Sequence, residues 1–301
     1  MVQAHSLVSA SRPRPAVPDV RAHLSLLKVR IAAPLVFVAA VTAVVASQGA
    51  VPMGRIVVLV LAGGLASAGA ACLNHYLDRD IDAVMQRTRS RPIPSGDIGN
   101  PATAAFLGVA LVGIALVIAT TLSFGSLVFI ALGAFFYVVV YTLWLKRSTP
   151  FGVIVGGFAG SCAVLAGWAA VSPHLSLTPL LLGLIVFLWT PAHFWSLAIV
   201  LKEEYRQVNV PMLPVLVGER MTAWIVLAST TLTVLASLLP YWHSLFGQTF
   251  LFVALFAALL ALLGNLRLVR NPTKEVAWQS YKLSGVYLGL LFAGMLADAV
   301  L

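Results

Sequence analysis

Long apolar runs separated by short polar stretches repeat along nearly the whole 301-residue chain. Runs able to cross a bilayer fall at 31–48, 54–73, 101–120, 124–145, 151–171, 177–201, 221–240, 247–266 and 283–300. A spanning helix needs about 20 residues, with about 17 as a lower limit. The pattern therefore predicts an all-α, polytopic integral membrane protein with nine transmembrane helices. Its least distinct features are the break between 120 and 124 and the short final run. Composition agrees: 60 % of residues are hydrophobic and 10 % charged, against about 25 % charged in soluble domains.

Charge adds the topology. If the nine helices alternate across the membrane, eighteen of the nineteen Lys and Arg fall on the side of the N-terminus, with Arg55 the exception. Cytoplasmic loops carry such an excess, so the N-terminus and the charged loops are expected in the cytoplasm, with the chain integral to the cell membrane. The net charge of +9 is assigned to lipid headgroups and orientation rather than to nucleic acid. Residues 1–26 contain Arg12, Pro13, Arg14, Pro15 and Pro18 and no long apolar run. They are expected to form a disordered or surface-lying cytoplasmic tail before a single membrane domain over 27–301. A basic segment followed by apolar sequence also suits a signal peptide, but a run of about 22 residues favours a retained span. Cys72 and Cys162 lie inside apolar runs and indicate neither a disulfide framework nor a metal-spacing pattern.

The two large polar connections follow the second and sixth helices, a spacing that hints at a four-helix internal repeat. In the first connection, Asn74, Asp78 and Asp82 recur every four residues. On a helix continuing out of the second span they share one face, and three oxygen donors so aligned suit a hard cation such as Mg2+, with Mn2+ also compatible. Asp80 points elsewhere. Arg79, Arg87, Arg89 and Arg91 offer rigid donor forks to phosphate oxygens or headgroups. The alternative is a solvated loop whose arginines only enforce orientation.

Asn74-x3-Asp78-x3-Asp82, continued by Arg87, Thr88, Arg89, Arg91 and Pro92, resembles the first aspartate-rich motif of the UbiA-type intramembrane prenyltransferases. "YTLWLKRSTP" at 141–150, "WTPAHFWSLAI" at 189–199 and "VPMLPVLVG" at 210–218 are similar to segments of the haem-farnesylating branch of that family. The resemblance implies nine helices around a central apolar cavity and transfer of farnesyl from farnesyl diphosphate to the vinyl group of haem b, with addition of water and loss of diphosphate. It implies that Asn74, Asp78 and Asp82 hold magnesium diphosphate, and that Lys146 and Arg147 contact the same group. Helix C-terminal charge also accounts for that basic pair. Tyr137 and Tyr141 either line the pocket or belong to an interfacial belt. His193 is expected to contact or ligate haem or to move a proton, its alternative being a buried histidine satisfied by hydrogen bonds.

Lys202, Glu203, Glu204, Tyr205 and Arg206 form the second charged cluster. Glu204 and Tyr205 align with an Asp-Tyr pair of the family, which makes Glu204 a candidate second metal contact. Other departures are "LLKVRI" in place of Lys-Pro-Arg at the first helix, "SCAVLAG" at 161–167 where paired prolines are usual, and His75 after Asn74. Pro211 and Pro214 predict that 210–215 cannot remain regular helix. A haem-handling or oxidase-assembly partner fits the resemblance. Competing functions are prenylation of another acceptor, such as a quinone precursor, and transport. Transport sites place polar groups near the membrane midplane, whereas the ionisable residues here collect at one edge.

Overall fold

The computed structural model describes residues 20–50 and 52–300. Its described residues form α1 (Val20–Leu26), α2 (Val29–Ala46), α3 (Met53–Leu77), α4 (Arg79–Val84), α5 (Pro101–Ala119), α6 (Phe124–Arg147), α7 (Gly152–Ala169), α8 (Leu177–Val200), α9 (Lys202–Gln207), α10 (Leu213–Trp242), α11 (Gln248–Arg270) and α12 (Lys274–Val300), with no strand among them. Nine are long and apolar enough to span a membrane: all except α1, α4 and α9. The nine-span pattern is therefore present.

Several boundaries differ from expectation. Residues 20–26 are helical, and Ala22 and Leu26 bury against Cys72, Ile93 and Ile98, so the packed domain starts earlier than residue 27. The rest of the expected tail, 1–19, lies outside the described residues. α10 begins at Leu213, not 221, because Pro214 occupies the first turn, where a missing N–H is harmless. The expected irregularity over 210–215 is therefore confined to 210–212, where Met212 is extended at φ −67, ψ 148; Leu213–Val215 are helical, and a separate kink falls later, at Gly218 (φ 79, ψ 169). α12 begins at Lys274, not 283. Trp278, Tyr281 and Lys282 lower the hydropathy of its first turns without ending the helix, as interfacial residues do.

The helices neighbour one another in chain order from α2 to α12, and α12 packs back on α2. α2 also crosses α7, which separates an N-terminal group around a cavity from a C-terminal group around Phe250, Leu291, Phe292 and Met295. Lipid tails give little hydrophobic drive for helix association, so small residues at crossings matter. A Cβ on Gly167 of α7 would lie 2.1 Å from the carbonyl oxygen of Ala39 in α2. At the α3–α5 crossing, a Cβ on Gly69 would lie 2.6 Å from the carbonyl oxygen of Gly108.

The same local turn ends α3 and α8. Asp78 (φ −91, ψ 5) and Leu201 (φ −100, ψ 15) each leave the long helix and start a six-residue one, α4 or α9. The two polar connections thus share a local form, a turn followed by a six-residue helix. By alternation, α4, α9 and the Lys146–Arg147 end of α6 share one face, the motif face. Arg55, on the other face, donates to the carbonyl of Ala170 at 3.0 Å.

Candidate active site

The turn at Asp78 preserves the i→i+4 ladder: Asp78 N–H donates to Asn74 O at 2.9 Å, and Asp82 N–H to Asp78 O at 2.8 Å. Asn74, Asp78 and Asp82 consequently stay on one inward face, at 6 %, 1 % and 3 % exposure. Burial of two carboxylates is costly unless cations meet them. Lys146 Nζ lies 2.5 Å from Asp78 Oδ2, and Arg91 Nη1 lies 2.5 Å from Asp82 Oδ2. Arg147 holds the more exposed Asp80 through two contacts of 2.6 Å and also donates to Leu77 O at 3.0 Å. That pair holds the Asp80 carboxyl down at about 2. The inward and outward roles expected for the Asp residues are thus distinct in the structure.

Asn74 is oriented from three sides. Its Nδ2 donates to Asp78 Oδ2 at 2.7 Å and to Thr142 Oγ1 at 3.3 Å, and its Oδ1 accepts from Lys28 Nζ at 2.7 Å. Residues Phe136–Trp144 of α6 widen to a π-helical winding, a local form often found at functional sites. Within it Thr142 donates to the carbonyl of Tyr137 at 2.8 Å, and Tyr137 and Tyr141 stack with centroids 6.3 Å apart. Sequence reasoning missed Lys28 and Thr142. Lys28 lies in the LLKVRI segment that stands where the family has Lys-Pro-Arg, but nothing local says that it reaches residue 74. Desolvation, followed by the nearby Arg91 charge, pulls the Lys28 ammonium down to about 7.

Beneath this cluster, α2, α3, α6 and α7 line a partly open apolar cavity of about 130 Å3. Lys28 and Tyr137 line it beside the motif face, and small residues such as Gly63, Ala66, Gly133 and Ala163 form its walls. One substrate can therefore place a charged head among the carboxylates and an apolar tail between the helices.

Hard oxygen donors of this kind fit magnesium. Asp78 Oδ1 is buried and accepts no hydrogen bond among the described residues, while an Arg147 nitrogen stands off at 3.8 Å. An orphaned, buried carboxylate oxygen in such a cluster suits a cation. Among the described residues no three His, Cys, Asp or Glu side chains come close enough to hold one ion, so an ion at this cluster would need the Asn74 amide oxygen as a further donor. Glu204 Oε2 accepts from the backbone N–H of Arg87 at 3.0 Å, tying α9 to the segment after α4.

The other expected residues are more dispersed. Glu203 and Arg206 pair with each other, Lys202 pairs with Glu219, and Arg89 is exposed. Tyr205 and Tyr141 pack against the same apolar cluster around Trp195 and Ile199, and burial pushes the Tyr205 hydroxyl up. The described contacts of His193 are all with α8 and α12: it lies between Trp189 and Tyr281, with centroids at 4.3 and 4.4 Å, and its Nδ1 meets Ser284 Oγ at 2.6 Å. Ser284 Oγ already donates to Tyr281 O at 2.8 Å. With the Ser284 hydroxyl donating to Tyr281 O, the tautomer that satisfies this contact is the one protonated on Nδ1, with the lone pair on Nε2. His75 is 2 % exposed, and neither ring nitrogen has a partner among the described residues.

Comparison with known proteins decides the family. Residues 35–290 match the model of the UbiA prenyltransferase family. The chain belongs to that family. A relative named protoheme IX farnesyltransferase 1 from Paramagnetospirillum magneticum is 44 % identical over 92 % of this chain and 98 % of its own length. One of the same name from Cenarchaeum symbiosum is 44 % identical over 80 % of this chain and 81 % of its own. Solved structures of the UbiA fold superpose on it. A digeranylgeranylglyceryl phosphate synthase gives a TM-score of 0.76 at 20 % identity, covering 93 % of this chain and 98 % of that one. A UbiA homolog from Archaeoglobus fulgidus bound to GPP and Mg2+ gives 0.64 at 17 % identity, covering 91 % and 99 %. This UbiA chain is an integral membrane prenyltransferase.

Proposed function

We propose that the protein transfers the farnesyl group of farnesyl diphosphate to a vinyl group of haem b, forming haem O, with the motif face toward the cytoplasm. The observation that carries prenyl transfer is the buried Asn74–Asp78–Asp82 cluster above an apolar cavity. The names of the curated relatives support the haem acceptor and the farnesyl donor. The one-sided Lys and Arg distribution supports the orientation.

Asn74, Asp78 and Asp82 would hold Mg2+, which stabilises charge developing on the departing diphosphate. Lys146 and Arg91 face the same space and supply fixed positive charge there; Arg147 and Arg87 lie at its outer edge. The C–O bond of the donor breaks with its electron pair leaving on diphosphate, and the vinyl carbon attacks the allylic carbon. Water adds to the resulting side-chain cation and loses a proton, which yields the hydroxyethylfarnesyl substituent. The apolar walls around the prenyl chain keep water from the allylic carbon before the vinyl group reaches it. His193, with its Nε2 lone pair between two aromatic rings, is the side chain suited to meet the porphyrin.

The test is incubation of the detergent-solubilised protein with haem b, farnesyl diphosphate and Mg2+, following the haem product by mass. Wild type is expected to form haem O and folded Asp78→Asn to form none. No adduct from a haem-replete preparation that still binds labelled farnesyl diphosphate with Mg2+ would transfer the reading to another acceptor, such as a quinone precursor.

A further inference from the structure

His193 is held on three sides by α8 and α12, and the hold leaves one of its atoms free. Trp189 covers one ring face at a centroid distance of 4.3 Å and 24°, and Tyr281 covers the other at 4.4 Å and 33°. Nδ1 meets Ser284 Oγ at 2.6 Å, and the carbonyl of Ser284 accepts from Trp189 Nε1 at 2.8 Å. Ser284 Oγ in turn donates to the Tyr281 carbonyl at 2.8 Å. Ser284 therefore ties together the imidazole and both rings that cover it. The remaining polar atom is Nε2. It has no hydrogen-bond partner among the described residues, and it is not one of the enclosed unpartnered atoms there, which belong to His75, Asp78 and Trp195. It is thus accessible from outside the ring stack.

Joining α8 to α12 does not require a histidine. One turn away, the buried Ser196 and Ser280 already join the same two helices at 3.1 Å, and Ser280 passes the connection on to Asn265 of α11. What the imidazole adds is a fixed ring with one lone pair on offer. An oxygen acceptor on one ring nitrogen fixes the tautomer and raises the basicity of the other, which is the usual setting of a metal-ligating histidine. His193 lies about two helical turns, or about 12 Å, below the turn at Leu201, in the apolar layer. Among the described residues no three His, Cys, Asp or Glu come together to hold a free ion. A metal that arrives inside a planar apolar macrocycle has its other ligands already and needs only one axial nitrogen from the protein.

We propose that His193 Nε2 is the axial ligand of the iron in the haem substrate, and that Ser284 is the residue that positions it. This inference rests on the haem-acceptor reading above and adds a requirement for the metal: the site selects the iron porphyrin over the same macrocycle without iron. The bond is a lone-pair donation from Nε2 to iron, with no electron transferred and the Nδ1 proton kept on Ser284 Oγ.

In the experiment the full-length protein in detergent is titrated with ferric haem b and, separately, with metal-free protoporphyrin, following the absorption bands of each. Protein made with nitrogen-15 histidine is then examined with haem bound, by pulsed EPR, for coupling between that nitrogen and the iron. Wild type is expected to show the coupling and to bind haem about tenfold or more tighter than the metal-free macrocycle. His193→Ala, checked by thermal unfolding, should lose the coupling and the preference together, and added imidazole should restore haem affinity. Ser284→Ala should keep the coupling but weaken haem binding about tenfold, the usual effect of a group behind a metal ligand, and raise the haem midpoint potential. Ser284→Thr should return both values, and Ser280→Ala, which breaks the neighbouring tie, should change neither. A wild-type complex without histidine coupling, or a His193→Ala protein that still prefers the iron porphyrin, would overturn the ligand. Equal affinity and potential in wild type and Ser284→Ala would overturn the positioning role. These results would leave haem as the acceptor, whereas a wild type that neither binds haem nor forms haem O would remove that reading as well.

Discussion

Asn74, Asp78 and Asp82 show how much of a site a single spacing can reveal. The four-residue repeat was enough to place them on one face because the turn at Asp78 keeps the helical ladder. It did not reveal their partners, because Lys28, Thr142 and Lys146 come from elements 46 to 68 residues away in the chain. The metal role expected for Glu204 rested on an aligned acid, and what the sequence did not reveal is that one oxygen of that carboxylate accepts from the Arg87 N–H. His75 leads to a prediction at this scale. An imidazole buried at 2 % exposure with both nitrogens unpartnered carries an uncompensated desolvation cost, typically about 1–3 kcal/mol. His75→Leu, close in volume, is expected to raise the unfolding temperature in detergent; a fall would show that the ring has a partner there.

At the scale of elements, the nine spans were legible because the bilayer demands long apolar runs with internally satisfied backbone. Boundaries were less so. α12 continues past the apolar run into Trp278 and Tyr281, and α10 restarts after Gly218, both beyond the reach of a hydropathy threshold. The π winding of α6 was not legible at all, since Phe136–Trp144 reads as ordinary apolar helix. Helix crossings give the second prediction. Gly167→Ala would drive a methyl group to 2.1 Å from the Ala39 carbonyl, and overpacking of this kind costs about 1–3 kcal/mol. The substitution should lower the unfolding temperature and weaken farnesyl diphosphate binding, because Ala39 and Ala166 line the same cavity. Gly113→Ala is the control. Nothing lies within 4 Å of its added Cβ, so binding should match wild type, and unfolding should be unchanged or shifted upward by the helix preference of Ala over Gly.

Across the whole molecule, two similar turns, after α3 and after α8, bring charged segments from both halves to one face. The Arg87–Glu204 contact joins them directly. Glu204→Ala should therefore speed backbone hydrogen exchange in residues 85–98 while leaving the interior of α3 unchanged; equal exchange in both proteins would make the contact incidental. The same one-sidedness bears on energetics. A reaction confined to one rim draws its ions and water from a single compartment and returns diphosphate to it. In the proposed reaction the membrane would serve as solvent for the apolar part of the substrate, and no charge would need to traverse its thickness. Transmembrane voltage does work of about 2.3 kcal/mol per elementary charge per 100 mV, but only on charge that moves through the field. Under the proposed function, turnover should therefore be the same in energised and de-energised membranes.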